Sequence, residues 1–201
     1  MIFRTNIKGG TELGNKASIY INKGDPVPDE TTILMITNHL QEDDCKNGRM
    51  LDGFPRNITQ AEALDKALKE RDIKLGYVIE IVLGREISQK RIMGRRLCPV
   101  DTNHPNNIHI DAIKPTMVNG NMVCMVCGAE NLTVRSDDQN EAAIDKRHDI
   151  YYDTKTGTMS AVNYFRERVK IIGVDGRPSV GEVSKMLMEN LPQHKTIWTN
   201  Q

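Results

Sequence analysis

The residues best placed to do chemistry are three cysteines and a histidine inside one polar stretch. Cys124-Met125-Val126-Cys127-Gly128 is a Cys-x-x-Cys knuckle, with Cys98 and His104 about twenty residues upstream. Thiolate and imidazole at such spacing suit a tetrahedral zinc ion, and a closed Cys3His set is structural. Asp101 competes with His104 for the fourth position, since Cys98-x-x-Asp101 could also close a half-site. Imidazole is favoured because it binds a soft metal better than a carboxylate does. Iron or cobalt would fit the same ligands. Residues 98–138 are rich in Asn, Pro and Gly with little periodicity. So small and polar a segment lacks a core of its own, and a metal can contribute on the order of 10 kcal/mol towards folding it. Cys45 stands apart and reads as an ordinary small apolar residue.

A second constellation flanks the first. Arg91, Arg95 and Arg96 precede the stretch; Arg135, Asp137, Asp138 and Arg147 follow it. Arg91 and Arg95 are four apart and share a helix face. Guanidinium groups gathered on one face repel unless an anion lies between them, and the planar fork suits phosphate oxygens. The plainer alternative is a solvated basic face neutralised by Asp137 and Asp138.

The elements that must position these groups follow from pattern. Thr11 to Lys23 carries a helical signal and Gly24-Asp25-Pro26 stops it. Asp29 is expected to cap a helix with Ile33, Leu34, Ile36 and Leu40 on its apolar side. Met50 to Phe54 reads as a short buried strand running into the loop Gly53-Phe54-Pro55-Arg56. Asp52 there is either a turn residue or a magnesium holder. Thr59 with Glu62 predicts a capping box and a helix to about Leu68. Tyr77 to Leu83 is the clearest strand, followed by a helix from Glu86 to Arg96. Helix resumes near Asn140, Lys170 to Asp175 is a strand, and Ser179 with Glu182 opens a last helix. Strands alternating with helices predict an α/β fold with a mostly parallel sheet.

Composition excludes several classes. Lys+Arg and Asp+Glu are both 27 of 201 residues and aromatics are 4%, which speaks against a nucleic-acid-coating protein or a zinc-ribbon nucleic-acid binder. No apolar run approaches membrane-spanning length. With no apolar leader at Met1 to Asn6 and a cysteine cluster suited to a reducing compartment, the expectation is cytoplasmic.

At these same residues the sequence resembles the adenylate kinases, nucleoside monophosphate kinases, in their metal-lid bacterial form. The matching stretches are Gly10-Thr11-Glu12-Leu13-Gly14, Val27-Pro28-Asp29-Glu30, Leu51-Asp52-Gly53-Phe54-Pro55-Arg56 with Gln60, Arg91-Ile92-Met93-Gly94-Arg95-Arg96, Arg135-Ser136-Asp137-Asp138, Arg147 and Val174-Asp175-Gly176. The resemblance implies a three-layer, parallel-sheet, P-loop-type nucleoside monophosphate kinase fold with a small metal-bound lid insertion. It places an AMP module at 1–28, core at 29–93, lid at 94–138 and core again at 139–201. It implies that Arg4, Val27, Gly53, Phe54, Pro55, Arg56 and Gln60 hold AMP, that Arg91 and Arg95 meet ATP phosphates, and that a backbone carbonyl at Pro178 meets adenine. Arg95, Arg135 and Arg147 would serve the transferring phosphoryl group, Arg135 and Arg147 touching AMP as well, with Asp52 near Mg2+. The partners implied are ATP, AMP and ADP, handled by a monomer, with no nucleic acid or membrane.

The family opens with a strand, a glycine-rich phosphate loop ending in lysine, and a helix, whereas no G-x-x-x-x-G-K-S/T occurs in this sequence. The expectation is an N-terminally truncated or misassigned reading of a full kinase. The alternatives are a non-catalytic nucleotide-binding relative, or a phosphate loop supplied by a second polypeptide. Turnover by these residues alone is expected to be impaired, and the strands on either side of the family's first strand are expected to face a gap.

Overall fold

The structure is a computed structural model that describes residues 2–23, 26–46 and 48–191, apart from the side chains of Arg4, Lys23 and Ser136. Its contacts separate it into two units, Met1–Gly76 with Tyr151–Val169, and Tyr77–Ile150 with Lys170–Gln201.

The first unit is helical. It holds α1 (Ile2–Lys8), α2 (Glu12–Lys23), α3 (Asp29–His39), α4 (Ile58–Lys69) and, from the later segment, α7 (Thr158–Arg166). Its core follows from helical spacing. On α4, Ala61, Leu64, Ala67 and Leu68 are buried, at the i, i+3, i+6, i+7 spacing that lines one face. They pack towards α3, where Thr31, Thr32, Met35 and Ile36 are buried, and towards α7, where Ala161 and Phe165 are. Leu34, expected on the apolar side of α3, is 44% exposed.

Two expected caps are corrected here. Pro28 occupies the N-cap of α3, which gains no side-chain cap. Asp29 sits inside the helix, and its carboxylate accepts from Asn57 Nδ2 at 2.8 Å and Gln60 Nε2 at 2.6 Å. Those two donors outcompete the local amides because they come from a segment that folds back against the helix. On α4 the cap is Asn57, not Thr59: its side chain accepts from the Gln60 amide at 2.9 Å. Asparagine is as good a cap as threonine and sits one residue before the first helical turn.

The strand expected over Met50 to Phe54 is absent. Met50 is 85% exposed, and the backbone bends at Asp52-Gly53 before a cis Phe54–Pro55 bond. A strand needs a neighbour to satisfy its amides and carbonyls, and among the described residues none runs beside it. The helical stretch after Asn140 also divides in two. Between α6 (Glu141–Tyr152) and α7, the Asp153 carboxylate takes the amides of Lys155 at 2.7 Å and Thr156 at 3.2 Å, a turn that competes with helix.

The second unit carries β1 (Tyr77–Val82) and β4 (Lys170–Asp175), paired in parallel from Tyr77 opposite Lys170 to Val82 opposite Asp175. Both are rich in Val and Ile, and Ile172 and Val174 are 3% and 4% exposed. Among the described residues β1 has no second strand partner, and Ile79, Ile81 and Val82 stay 40%, 53% and 53% exposed. Helix α8 (Val180–Asn190) packs on β4 and opens with the expected capping box between Ser179 and Glu182. Helices α5 (Arg85–Gly94) and α6 meet through Arg85 and Asp149 at 2.7 Å and through His148 Nε2 and Ser88 Oγ at 3.0 Å.

Residues 95–138 form the least regular part of this unit. They contain a hairpin of β2 (Thr116–Val118) and β3 (Asn121–Val123), with φ of 50° at Asn119 and 82° at Gly120. Asn-Gly is the strongest short hairpin signal and would have revealed the pair in the sequence. No described helix is long and apolar enough to cross a membrane.

Candidate functional site

The four expected metal ligands come together. Cys98, His104, Cys124 and Cys127 place their ligand atoms within 4.8 Å of one another. Cys98 Sγ lies 3.5 Å from Cys127 Sγ, and Cys124 Sγ lies 3.6 Å from His104 Nδ1. Two thiolates on a tetrahedral zinc with bonds of about 2.3 Å stand about 3.8 Å apart, so the cluster fits such an ion with little movement. The local electrostatics favour thiolate at Cys98 and Cys124, while those two sulfurs push the Cys127 thiol up. Burial pushes the Cys124 thiol up, but the Cys127 amide, the Asn106 side chain and the Val126 amide outweigh it and bring it down to about 6. Burial of Cys98 is likewise outweighed by the Asp101 and Val100 amides.

Asp101 therefore serves the site through its backbone. Its carboxylate instead accepts from the Asn103 amide at 2.8 Å and Asn103 Nδ2 at 2.9 Å. Exchanging His104 for asparagine is expected to abolish stoichiometric metal retention, measured by elemental analysis, while Asp101→Asn retains it. The opposite pattern would reverse the ligand assignment.

Two buried asparagines do positioning work that the sequence reading missed. Asn106, 3% exposed, donates to Cys124 Sγ at 3.3 Å and accepts from the Met125 amide at 3.0 Å. This is the outer-shell support that orients a ligand. Asn107 donates to the Arg91 carbonyl at 2.7 Å, tying the metal-binding stretch to the end of α5. Gly94 permits this approach: a Cβ there would lie 2.3 Å from Asn107 Oδ1. The neck is completed by Leu97 and Thr133, which exchange backbone hydrogen bonds of 2.8 and 3.0 Å.

Beyond that neck the arginines converge. Arg95 follows α5 and grips Asp138 with two hydrogen bonds, Nε at 2.9 Å and Nη2 at 3.1 Å. Asp138 is fully buried. Arg147 on α6 reaches the same carboxylate at 3.4 Å and also contacts Asp137. Arg135 holds Asp137 through Nε at 3.2 Å and Nη2 at 2.9 Å. Burial is the largest single influence on the Asp137 carboxyl and raises it, but Arg135 and Arg147 together outweigh it and hold the group below the usual range. Three guanidinium groups thus face two carboxylates, with 40%, 46% and 40% of the Arg95, Arg135 and Arg147 side chains open to solvent. The acids order the forks, and the surplus positive charge leaves donors for an incoming anion. Arg96 takes no part; it caps the Met93 and Arg95 carbonyls at 3.0 and 2.8 Å.

Beside this cluster lies an open cleft of about 300 Å³, lined by Leu83, Ser88, Arg91, Ile92, Arg95 and Asn107. The guanidinium of Arg91 donates to the carbonyls of Gly176 and Arg177, both at 2.6 Å. It thereby holds the turn leading to half-buried Pro178.

In the helical unit, the Gly53–Arg56 loop is internally braced. Gly53 has a φ of 70°, which favours glycine, and its carbonyl accepts from Arg56 Nε at 2.8 Å. Gln60 is 6% exposed, and its amide is committed: the oxygen accepts from the Arg56 backbone at 2.8 Å and the nitrogen donates to Asp29 at 2.6 Å. Phe54 is buried, and Val27 and Pro55 are half-buried. Asp52 is exposed, with no side-chain partner among the described residues. Arg4 lies on α1, its side chain outside the described residues.

An α/β chain with surplus guanidinium donors beside a Cys3His-clamped insertion has the parts of a phosphoryl-transfer enzyme, which works by alignment and charge stabilisation. Comparison with known proteins is specific on this point. The adenylate kinase family model matches residues 1–170. The chain is 59% identical to an adenylate kinase of Desulfosudis oleivorans, over 94% of its own length and 85% of the relative. It is 56% identical to an adenylate kinase of Desulfotalea psychrophila, over 94% and 84%, and 57% identical to one of Desulfatibacillum aliphaticivorans, over 94% and 85%. The chain belongs to the adenylate kinase family, and is by that membership a nucleotide-binding phosphotransferase.

Proposed function

We propose that this protein transfers the γ-phosphoryl group of Mg2+-bound ATP to AMP, reversibly. The bond between the β-bridging oxygen and γ-phosphorus breaks, a phosphate oxygen of AMP forms the new bond, and both products are ADP. The observation that carries the reading is the Arg95, Arg135 and Arg147 cluster, which offers oriented donors where negative charge must be held. Arg135 and Arg147 also meet the AMP phosphate in this reading. Arg4, Val27, Gly53, Phe54, Pro55, Arg56 and Gln60 hold AMP; Arg91, Arg95 and the Pro178 turn hold ATP; Asp52 sits near Mg2+. For AMP to use Gln60, its amide must exchange a protein partner for the base, and for ATP to use Arg91, its guanidinium must leave the Gly176 and Arg177 carbonyls.

The lid of this proposal is residues 94–138, with 1–28 as AMP module and 29–93 and 139–201 as core. Zinc in the Cys3His set makes the lid one stiff body; iron or cobalt would satisfy the same ligands. The thiolate cluster suits a reducing, cytoplasmic setting, and the protein is read as a monomer.

One sequence feature favours a weaker catalyst. No G-x-x-x-x-G-K-S/T cradle is present, so a polypeptide of these residues alone should bind nucleotide yet turn over slowly, lacking the amides and lysine that hold β- and γ-phosphates. ADP formation from ATP and AMP, measured beside calorimetric binding of each, tests both statements. Rapid turnover by these residues alone contradicts the impairment. Absence of both binding and turnover, even after a phosphate-loop segment is joined to Met1, removes the functional assignment.

A further inference from the structure

The helical unit contains a second cluster of metal-ligating groups, far in sequence from the first. His39 ends α3, and the chain then folds back through the short 3-10 turn Asp43–Cys45. A ring nitrogen of His39, a carboxylate oxygen of Asp44 and Cys45 Sγ all lie within 4.8 Å of one another. The two faces of the imidazole are used differently. Nδ1 is 3.1 Å from Glu42 Oε2, while Nε2 points to Asp44 Oδ2 at 3.5 Å.

We propose that His39 Nε2, Asp44 and Cys45 Sγ form a three-ligand site for a borderline divalent transition metal such as Zn2+ or Co2+, with Glu42 orienting the imidazole from its far side. A carboxylate on the second ring nitrogen is how metal-bound histidines are commonly held, fixing the tautomer and raising the basicity of the ligating nitrogen. The donor set of one thiolate, one imidazole and one carboxylate selects zinc or cobalt over magnesium or calcium, which prefer all-oxygen shells. Metal bonds of about 2.0–2.3 Å draw such atoms to within roughly 3.3–3.8 Å, so loading asks for a contraction of about 1 Å in a three-residue turn.

Surface ion pairing accounts for part of this geometry but not for all of it. His39 with Glu42 and Asp44 could be an exposed pair of little energetic weight. The Cys45 thiol, 5% exposed, faces the same point; burial and Asp44 push it up, so without an ion it stands as a thiol beside that carboxylate, and a bound cation would have to displace its proton. The Arg49 guanidinium donates to the Cys45 carbonyl at 2.7 Å. Glu42, Asp43 and Asp44 supply negative charge around the turn, of which, among the described residues, only Asp43 is paired with a lysine, Lys46 at 2.6 Å. The proposal stands apart from the assignment of activity, since none of its ligands belongs to the nucleotide-binding set.

The full chain, carrying its lid ion, is titrated with Co2+ under reducing, anaerobic conditions. A second equivalent is expected to bind. Because it has one thiolate where the lid has three, it should add about one third of the thiolate-to-cobalt absorbance of a fully substituted lid. His39→Gln and Asp44→Asn, each checked for retained circular dichroism, should bind only the lid equivalent. Cys45→Ser should remove the added thiolate band. A final content of one metal per unaltered chain, the lid ion alone with no Co2+ added to it, overturns the proposal, as does a final content of two metals in both His39→Gln and Asp44→Asn.

Discussion

Removal of the ion proposed for the Cys3His set, by chelation or by Cys124→Ser, is expected to unfold residues 95–138 while β1, β4 and α8 keep their structure. The reason lies in what the stretch lacks. Its hairpin strands are three residues each, too short to stand alone, and apart from Cys98 and Cys124 it buries little apolar surface beyond Val123. Metal coordination, worth on the order of 10 kcal/mol in small domains of this kind, is the largest single contribution available to it. Loss of the ion also leaves Asn106 aimed at an uncompensated sulfur. Limited proteolysis would show new cleavage confined to this stretch, and hydrogen exchange would show protection lost there but kept in the parallel strands. A metal-free protein with the same cleavage pattern and protection would refute the dependence.

Arg135→Ala is the second change with a large expected effect, a fall of about 10³-fold or more in kcat by comparison with other arginines that meet a transferring phosphoryl group. It is measured in a turnover-competent form that carries a phosphate loop. Arg135 donates through Nε and Nη2 to Asp137, so its plane is already fixed, and it is the most open of the three clustered guanidinium groups. Removing it turns three cations facing two acids into two facing two, and the surplus that attracts an anion disappears. Arg135→Lys should recover little, because a point ammonium cannot reproduce two parallel hydrogen bonds. Unchanged kcat in Arg135→Ala would remove this residue from the phosphoryl site and leave it a structural partner of Asp137.

Much of the clustering of side chains was legible in the sequence, and the residues that were legible share a cause. Cys98, Cys124 and Cys127 announce themselves by spacing, because a metal accepts few ligand geometries. The strands Tyr77–Val82 and Lys170–Asp175 are rich in Val and Ile, and Ser179 with Glu182 is a cap that needs only four residues to form. These are local signals. The Met50 to Phe54 strand failed as an expectation because a strand is a property of two segments, and the composition of one says nothing of whether the other lies alongside. Asp29 failed as a cap for the same reason: its partners, Asn57 and Gln60, come from another part of the chain.

By itself, then, the order of residues determined the α/β class of fold, the family, and which cysteines and arginines are drawn together. Each follows from bonds or repeats made within a few residues or from ligands with fixed preferences. Only the tertiary structure decided how those side chains are spent. It committed Gln60 to Asp29 and Arg91 to two backbone carbonyls, set His104 rather than the Asp101 carboxylate beside the three cysteines, and set Cys45 beside His39 and Asp44. Hydrogen bonds and coordination are short-ranged and directional, so which of several capable partners a group takes is settled when distant segments come within about 3 Å.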